Sequence, residues 1–224
     1  MKKEININLK LVEAFSKISD SRLKEIEESA EFFKYQLGQL ICSEDIIPNK
    51  VLLIINGNAR LFSGSISESS TITILNSGSF IGLVSILRAE GCEKVSASSN
   101  LLVMSIPDKL IIDIYKTDLY FKKWCDQKIL PAEAFNVTQE IYKIIPKVNF
   151  DINQLYKLIL NNSILKAIEN NTVLKTNQDY INFVSSSNLE KFKCGNVVNN
   201  GEIIKTKGPL PARFYLLPKQ LIDE

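Results

Sequence analysis

The chain has 224 residues, of which 45% are hydrophobic and 23% charged, as expected for a folded protein with one large domain or two small ones. Its net charge of +2, from 27 basic and 25 acidic residues, provides little general attraction for nucleic acid or an anionic membrane. It contains no histidine, which excludes Ser-His and Cys-His nucleophilic pairs, histidine metal ligands and imidazole acid-base catalysis.

The amino-terminal part of the chain changes from helical to β-strand patterning. Apolar residues at helical spacing predict helix around residues 9–18, and Ser19 offers an N-cap for a second short helix. Short apolar runs then predict seven strands, and Asn56-Gly57 predicts a hairpin because both residues tolerate positive φ. The predicted strands are 32–37, 39–42, 51–55, 59–63, 71–75, 95–98 and 101–106. This pattern favours an all-β roll or sandwich.

Helical patterns return after Pro107. Residues 108–115 and 119–127 are predicted helices, and Pro131 suits the first position of a longer one that runs to about residue 145. The apolar stripe of that last helix is interpreted as a packing face. Beyond Pro146 the spacing predicts one helix over residues 155–168, or two that are broken at 161–163. Short strands are predicted at 173–175 and 180–184, and near residues 197 and 203.

A weak internal repeat indicates a second unit. Residues 214–223 echo residues 103–112, because both read as an apolar strand, a proline, two polar residues and an apolar helix start. We therefore predict an α+β fold: a β-roll flanked by helices in a domain of residues 1–146, then a smaller, partial second β-roll in residues 147–224. Since the chain stops where the closing helix of that copy would begin, we expect it to be the front portion of a longer polypeptide.

The segment Gly78–Arg88 (GSFIGLVSILR) is a glycine-bounded aromatic turn that opens a short apolar helix. A helix N-terminus presents unpaired amides and a partial positive charge, which suits an anion. The candidate residues for such a site are Gly82, Leu83, Val84, Ser85, Arg88 and Ser96. Arg88 could swing in as the charge partner, but we interpret it as a solvated cation at the end of the helix.

These segments resemble the landmarks of cyclic-nucleotide-binding domains. Leu37-Gly38-Gln39, Ile54–Leu61 and Gly78–Gly82 follow in the family's order, and the catabolite-activator type is closest over residues 10–145. The resemblance implies a β-roll in which helix amides and an arginine hold the cyclic phosphate while a glutamate accepts the ribose 2′-hydroxyl. Here Leu83 stands at the glutamate position, and Gly91 or Cys92 stands at the arginine position. The loss of both groups predicts cyclic AMP binding weakened about a hundredfold to ten-thousandfold.

A narrower resemblance covers nearly the whole chain. Residues 82–88, 92–98 and 210–218 look like the amino-terminal region of bacterial peptidase-containing ABC exporters. Those proteins carry one or two cyclic-nucleotide-binding-like domains ahead of a cysteine peptidase, a membrane domain and an ATPase. Their cassettes also lack the glutamate and have Cys-Glu where an arginine is expected. No GxxxxGK[ST] motif occurs in this chain.

The polar start of the chain and the absence of an 18-residue apolar run argue against a signal peptide and a membrane span. The scattered cysteines are interpreted as reduced thiols. They are Cys42, Cys92, Cys125 and Cys194. We therefore expect a cytoplasmic location, at the inner face of the membrane if the chain belongs to a larger polypeptide.

The predicted function is a non-catalytic regulatory or docking module with a degenerate cyclic-nucleotide pocket, as the amino-terminal part of an ABC-type exporter. The expected partners are other domains or subunits of that exporter, with a small anionic ligand as the second candidate. We expect no metal, no nucleic acid, no membrane insertion and no cofactor. A cyclic nucleotide is the one candidate considered as a bound cofactor. The alternative is a transcriptional regulator of the catabolite-activator type, which needs a helix-turn-helix after its long helix. An enzyme is disfavoured, since Glu90 and Glu93 are interpreted as surface carboxylates.

Overall fold

The structure is a computed structural model that describes residues 7–63, 70–144 and 151–221. Within these segments the α-helices are α1 (Asp20–Ser29), α2 (Leu83–Arg88), α3 (Asp108–Thr117), α4 (Leu119–Gln127), α5 (Pro131–Ile144) and α6 (Ile152–Asn162). Short 3-10 helices lie at Leu9–Leu11, Glu13–Phe15 and Lys219–Leu221. None of these helices is both long and apolar enough to cross a lipid bilayer.

The strands before α3 are β1 (Glu31–Tyr35), β2 (Leu40–Cys42), β3 (Lys50–Asn56), β4 (Ala59–Phe62), β5 (Thr71–Leu75), β6 (Phe80–Ile81), β7 (Lys94–Ala97) and β8 (Leu101–Pro107). They form two four-stranded antiparallel sheets, in the orders β1-β8-β3-β6 and β2-β7-β4-β5. The strands after α6 are β9 (Ile164–Ile168), β10 (Thr172–Val173), β11 (Tyr180–Val184), β12 (Ile203–Ile204) and β13 (Ala212–Pro218).

The core of the first unit has two layers, and β3 lies between them. Its run Val51–Ile54 is buried throughout, because one face of the strand lines the roll interior and the other packs on the helices. The interior layer includes Leu61 and Val95, and the helical layer includes Phe15 and Phe121. A continuous apolar run is the sequence signature of a strand buried on both faces.

The turn at Asn56-Gly57 forms, but the predicted hairpin was wrong. β3 pairs with β8 and β6, whereas β4 pairs with β5 and β7, so the turn carries the chain from one sheet to the other. Gly57 has a φ of +87°, and a Cβ there would collide with the carbonyl oxygen of Asn100. The turn therefore requires glycine for both its conformation and its space.

The predicted helices after Pro107 are confirmed, and α5 has the expected packing face. Asp118 caps α4 by accepting from the Phe121 amide at 2.8 Å, and α5 begins at Pro131. Val137 and Ile141 of α5 pack with residues of α6 and of the second sheet. The same helix also contacts α2 and β5 of the first unit. It thus lies between the roll and the second unit.

The second unit contains a three-stranded antiparallel sheet of order β11-β13-β9 and the pair β10–β12. Its central strand β13 ends at Pro218 before a 3-10 helix, just as the central strand β8 ends at Pro107 before α3. The α+β class, with a helix-flanked β-roll followed by a smaller partial one, is confirmed. The predicted boundary near residue 146 lies outside the described residues.

One element of the second unit was predicted wrongly. The helix ends at Asn162, within the break over 161–163 that one of the two alternatives gave, but the segment after the break is the strand β9 and not a second helix. The helical spacing of Ile164, Leu165 and Ile168 was overridden by antiparallel pairing with β13, in which Leu165 faces Tyr215. Leu165 and Ile168 are both buried in this strand.

Candidate functional site

The predicted anion cradle begins at Gly82, the residue before α2. Gly82 has a φ of +87°, and a Cβ at this position would lie 2.8 Å from Pro48 Cγ and 3.0 Å from the Lys50 carbonyl oxygen. Glycine is therefore needed to bring β6 into α2 at this angle. The helix has six residues and a second left-handed residue, Ala89, at its C-cap.

The carboxylate of Glu93 occupies this cradle. Its Oε1 accepts from the Gly82 amide at 2.9 Å, and its Oε2 accepts from the Ser85 amide at 3.2 Å and the Ser85 hydroxyl at 2.7 Å. Glu93 is 4% exposed, so its interpretation as a surface carboxylate was wrong. Burial raises the pKa of Glu93, while the Ser85 hydroxyl, the two amides and Arg88 oppose the shift. Two of the amides expected to bind an external anion, those of Gly82 and Ser85, thus bind a carboxylate of the chain itself.

The other predicted residues separate into two groups around α2. Val84 belongs to the core inside the roll, whereas Leu83 packs into the helical layer outside it. Ser96 lies in β7 between Val95 and Ala97, whose side chains enter the roll core. Because side chains alternate along a strand, Ser96 faces away from that core. The structure thus brings Gly82 and Ser85 together at the cradle, and places Val84, Leu83 and Ser96 elsewhere.

Arg88 is not solvated, so that interpretation was also wrong. The residue is 0% exposed and points out of the cradle towards the second unit. Its Nε and Nη2 donate to the Ser185 carbonyl oxygen at 2.8 and 2.6 Å, and Nη2 also donates to Asn136 Oδ1 at 2.6 Å. Nη2 also forms an ion pair with Glu90 at 3.1 Å. These partners satisfy Nε and Nη2 where water is absent, whereas Nη1 is buried without a hydrogen-bond partner among the described residues.

A second buried charge pair lies beside Arg88. Arg213 Nε and Nη2 donate to the two oxygens of Glu133 at 2.8 Å each, and the Ser185 hydroxyl donates to Glu133 at 2.7 Å. The Arg213 Nη1 donates to the Cys125 carbonyl oxygen at 3.0 Å. Burial alone would raise the pKa of Glu133, but Arg213, Arg88 and the Ser185 hydroxyl together lower it. The planar Arg213 guanidinium matches the Glu133 carboxylate because one nitrogen binds each oxygen.

We call these residues the inter-unit network: Arg88, Glu133, Asn136, Ser185 and Arg213. It joins α2 of the first unit and α5 to the loop after β11 and to β13 of the second. Neither Glu133 nor Arg213 is identifiable as part of this network from the sequence pattern. The available signal was weak, because a glutamate on a helix and an arginine in a strand are more often at the surface.

A cavity of about 430 Å³, here called the roll cavity, lies between the inner side of β4 and β5 and the helices. Val84 and Glu93 line it next to the cradle, Leu61 and Thr73 line it from the strands, and Trp124 lines it from α4. The predicted landmark Gly78 also borders this space. Because Leu83 faces the helical layer, its side chain does not fill this cavity. The cavity is therefore present beside a cradle that is itself filled.

No protein-family model and no curated protein matches the chain. Several solved structures are similar to it. One is a cyclic nucleotide-binding-like protein from Brucella abortus bv. 1 str. 9-941, with 18% identity and a TM-score of 0.42 over 48% of this chain and 94% of that chain.

A second is the regulatory domain of Toxoplasma gondii PKA in complex with cAMP, with 9% identity and a TM-score of 0.47 over 96% of this chain and 89% of that one. A third is the Thermus thermophilus catabolite activator protein, with 13% identity and a TM-score of 0.44 over 64% and 79%. At these values the similarity assigns no function.

Proposed function

We propose that this chain is a non-catalytic regulatory module whose first roll holds its own carboxylate where a cyclic-nucleotide-binding roll holds the phosphate. The observation that carries the proposal is the set of hydrogen bonds from Gly82 and Ser85 to Glu93. Two carboxylate oxygens here stand in for two phosphate oxygens. The module is therefore built in a filled state and needs no nucleotide to order its cradle.

A cyclic nucleotide meets three obstacles at this site. Its phosphate would have to displace Glu93 from its donors and then lie next to that buried carboxylate. Like charges at close range in a site of low dielectric repel strongly. Arg88 is engaged with the second unit, and Leu83 offers no acceptor to a ribose hydroxyl.

The role that follows is docking rather than nucleotide sensing. The inter-unit network connects the cradle helix α2 to the second unit through Arg88, so both units are held in one arrangement. A rigid pair of units suits a module that presents fixed surfaces to other domains. The resemblance to peptidase-containing exporters supplies the setting that we propose, next to the inner side of a membrane exporter.

Isothermal titration calorimetry of the chain with cyclic AMP, cyclic GMP and cyclic dinucleotides tests this function. We expect no saturable heat from any of them up to millimolar concentration. Thermal unfolding in the same solutions is the control, since a ligand that binds only the folded state must raise Tm. Saturable binding of one nucleotide in the micromolar range would contradict the proposal.

The alternative, a transcriptional regulator of the catabolite-activator type, requires two adjacent helices that read the major groove. In residues 151–221 the one α-helix is α6, and strand β9 follows it. The described part of the chain after α5 thus lacks that helix pair. A gel-shift assay on random duplex DNA at low and moderate salt is expected to show no complex, and a salt-sensitive complex would favour the alternative.

A further inference from the structure

The roll cavity is large enough for a small organic molecule. Its volume of about 430 Å³ lies within the usual range for ligand sites, about 300–1,000 Å³. Most of its walls are apolar, with Leu61 and Leu75 from the strands and Phe80, Val84 and Trp124 from the turn and helices. Such walls bind ligands mainly by removing apolar surface from water.

The cavity has no free positive charge for an anion. Among the described residues that line it, Lys128 is the one cation, and its Nζ is paired with Glu13 at 2.8 Å. The cradle amides are engaged with Glu93, which lines the cavity as well. An anionic ligand would therefore find a carboxyl group and no counter-ion.

A cation is not favoured either. Both oxygens of Glu93 already accept hydrogen bonds from the cradle. The Glu13 carboxylate is held by Lys128, which is the first cause of its lowered pKa. Each negative group around the cavity is thus already compensated within the chain.

Aromatic side chains shape the remaining specificity. The rings of Phe80 and Trp124 meet edge to face with centroids 5.9 Å apart, and Phe121 stacks on Trp124 at 6.4 Å. The Trp124 Nε1 is buried away from solvent and lies near the Glu13 carboxylate, whose pKa it helps to lower, so the ring and not its N–H faces the cavity. A planar ligand gains from contact with such rings.

We propose that the roll cavity binds an uncharged, largely apolar molecule with a planar ring system. The site lies next to the filled cradle but does not use its amides. This inference goes beyond the proposed function, which calorimetry with cyclic nucleotides tests separately. Failure of one leaves the other standing, because the two ligands require different groups.

The test uses the single tryptophan of the chain as a reporter. In a ¹H–¹⁵N correlation spectrum Trp124 gives the one indole N–H signal. Three probes of equal ring size and different charge are titrated: naphthalene-2-carboxamide, naphthalene-2-carboxylate and naphthalen-2-ylmethylammonium. We expect the carboxamide to shift the indole signal saturably, with a Kd at least about tenfold lower than those of the two charged probes.

Two matched variants locate the binding. Thr73 faces Leu61 across the strand pair and lines the cavity, whereas Thr71 lies on the same strand, is exposed and does not line it. Thr73→Phe is expected to weaken carboxamide binding at least about tenfold, and Thr71→Phe to leave it within about twofold. The dispersion of each spectrum shows whether the variant is folded.

The proposal is overturned if the carboxamide produces no saturable shift, or if either charged probe binds as tightly. Unchanged carboxamide binding in folded Thr73→Phe also contradicts it. Should that variant misfold, Leu75→Phe fills the same cavity from the same strand. The charge series on the unaltered chain decides the question by itself.

Discussion

At the scale of single residues, Glu93 replaces an external anion, and its removal should be costly. Glu93→Ala removes the carboxylate that accepts from the Gly82 amide and from the amide and hydroxyl of Ser85. The Ser85 hydroxyl can still bond Cys92 Sγ at 3.6 Å, so two buried amides remain unsatisfied at about 1–3 kcal/mol each, and we expect a loss of about 2–6 kcal/mol in the free energy of unfolding. Urea unfolding measures it.

The control is Glu28→Ala on the exposed part of α1, where the glutamate makes a surface ion pair with Lys24 at 3.6 Å. We expect a change within about 0.5 kcal/mol there. A loss of that small size for Glu93→Ala would mean that Glu93 does not satisfy the cradle.

The two buried glutamates should respond to pH in opposite directions. The lowered pKa of Glu133 contributes stability that is present above the unfolded value, about 4.3, and is lost as pH falls. The raised pKa of Glu93 gives the reverse, since stability is lost as pH rises through the folded value. Glu133→Gln should therefore cost more at about pH 7 than at about pH 4, and Glu93→Gln less.

Urea unfolding of both variants and of the unaltered chain at the two pH values measures these differences. The comparison is internal, because both substitutions replace a buried carboxyl by an amide of similar size. If the cost of both substitutions changes in the same direction between the two pH values, the surroundings assigned to one of the glutamates are contradicted.

At the scale of elements, the entry into α2 depends on Gly82. Gly82→Ala adds the strain of a positive φ and a Cβ that lies 2.8 Å from Pro48 Cγ, whereas Gly38, with a φ of +86°, has nothing within 4 Å of the added atom. Gly38→Ala isolates the conformational cost, about 1 kcal/mol. We expect Gly82→Ala to lower the free energy of unfolding by about 1–2 kcal/mol more. If urea unfolding shows equal losses for Gly82→Ala and Gly38→Ala, the start of α2 can accommodate the added Cβ, which contradicts this prediction.

Local patterns predicted elements well where one rule acted alone. The strand Thr71–Leu75 and the helix Leu119–Gln127 were predicted with the observed bounds, because alternation and capping set them. The strand β9 was missed because Ile164, Leu165 and Ile168 fit a helix as well, and its pairing partner lies about fifty residues later. The two-residue strand β6 is too short to give any period.

The site was predictable in outline only. The glycine turn and helix start of the cradle were visible at residues 78–88, and so was the loss of the arginine and the glutamate. The new partner, Glu93, was visible only as an acidic residue next to the arginine position. The burial of Glu93, just before β7, depends on its contact with the start of α2. The burial of Arg88 depends on Ser185, which lies 97 residues away in the sequence.

At the scale of the whole molecule, Arg88 should hold the two units together. Arg88→Met leaves the Ser185 carbonyl oxygen and Asn136 without their buried donor. Removal of one partner from a buried polar network costs about 3–5 kcal/mol. We expect hydrogen exchange to speed up mainly in β11 and β13, while amides of β3 and β8 remain protected.

Arg60→Met, at an exposed position of β4, is the matched control and should leave all four strands unchanged. If Arg88→Met alters exchange in the roll and the second unit equally, the arginine stabilises the chain as a whole. That result would contradict a specific connection between the units.

The amide signals of Gly82 and Ser85 report most directly on whether the chain fills its own anion cradle. Both signals are measured in the unaltered chain, in Glu93→Ala, and in the unaltered chain with millimolar cyclic AMP. We predict that both shift strongly on loss of the carboxylate and do not move when the nucleotide is added. A saturable shift of these two signals with cyclic AMP, or no shift in Glu93→Ala, would contradict the filled cradle.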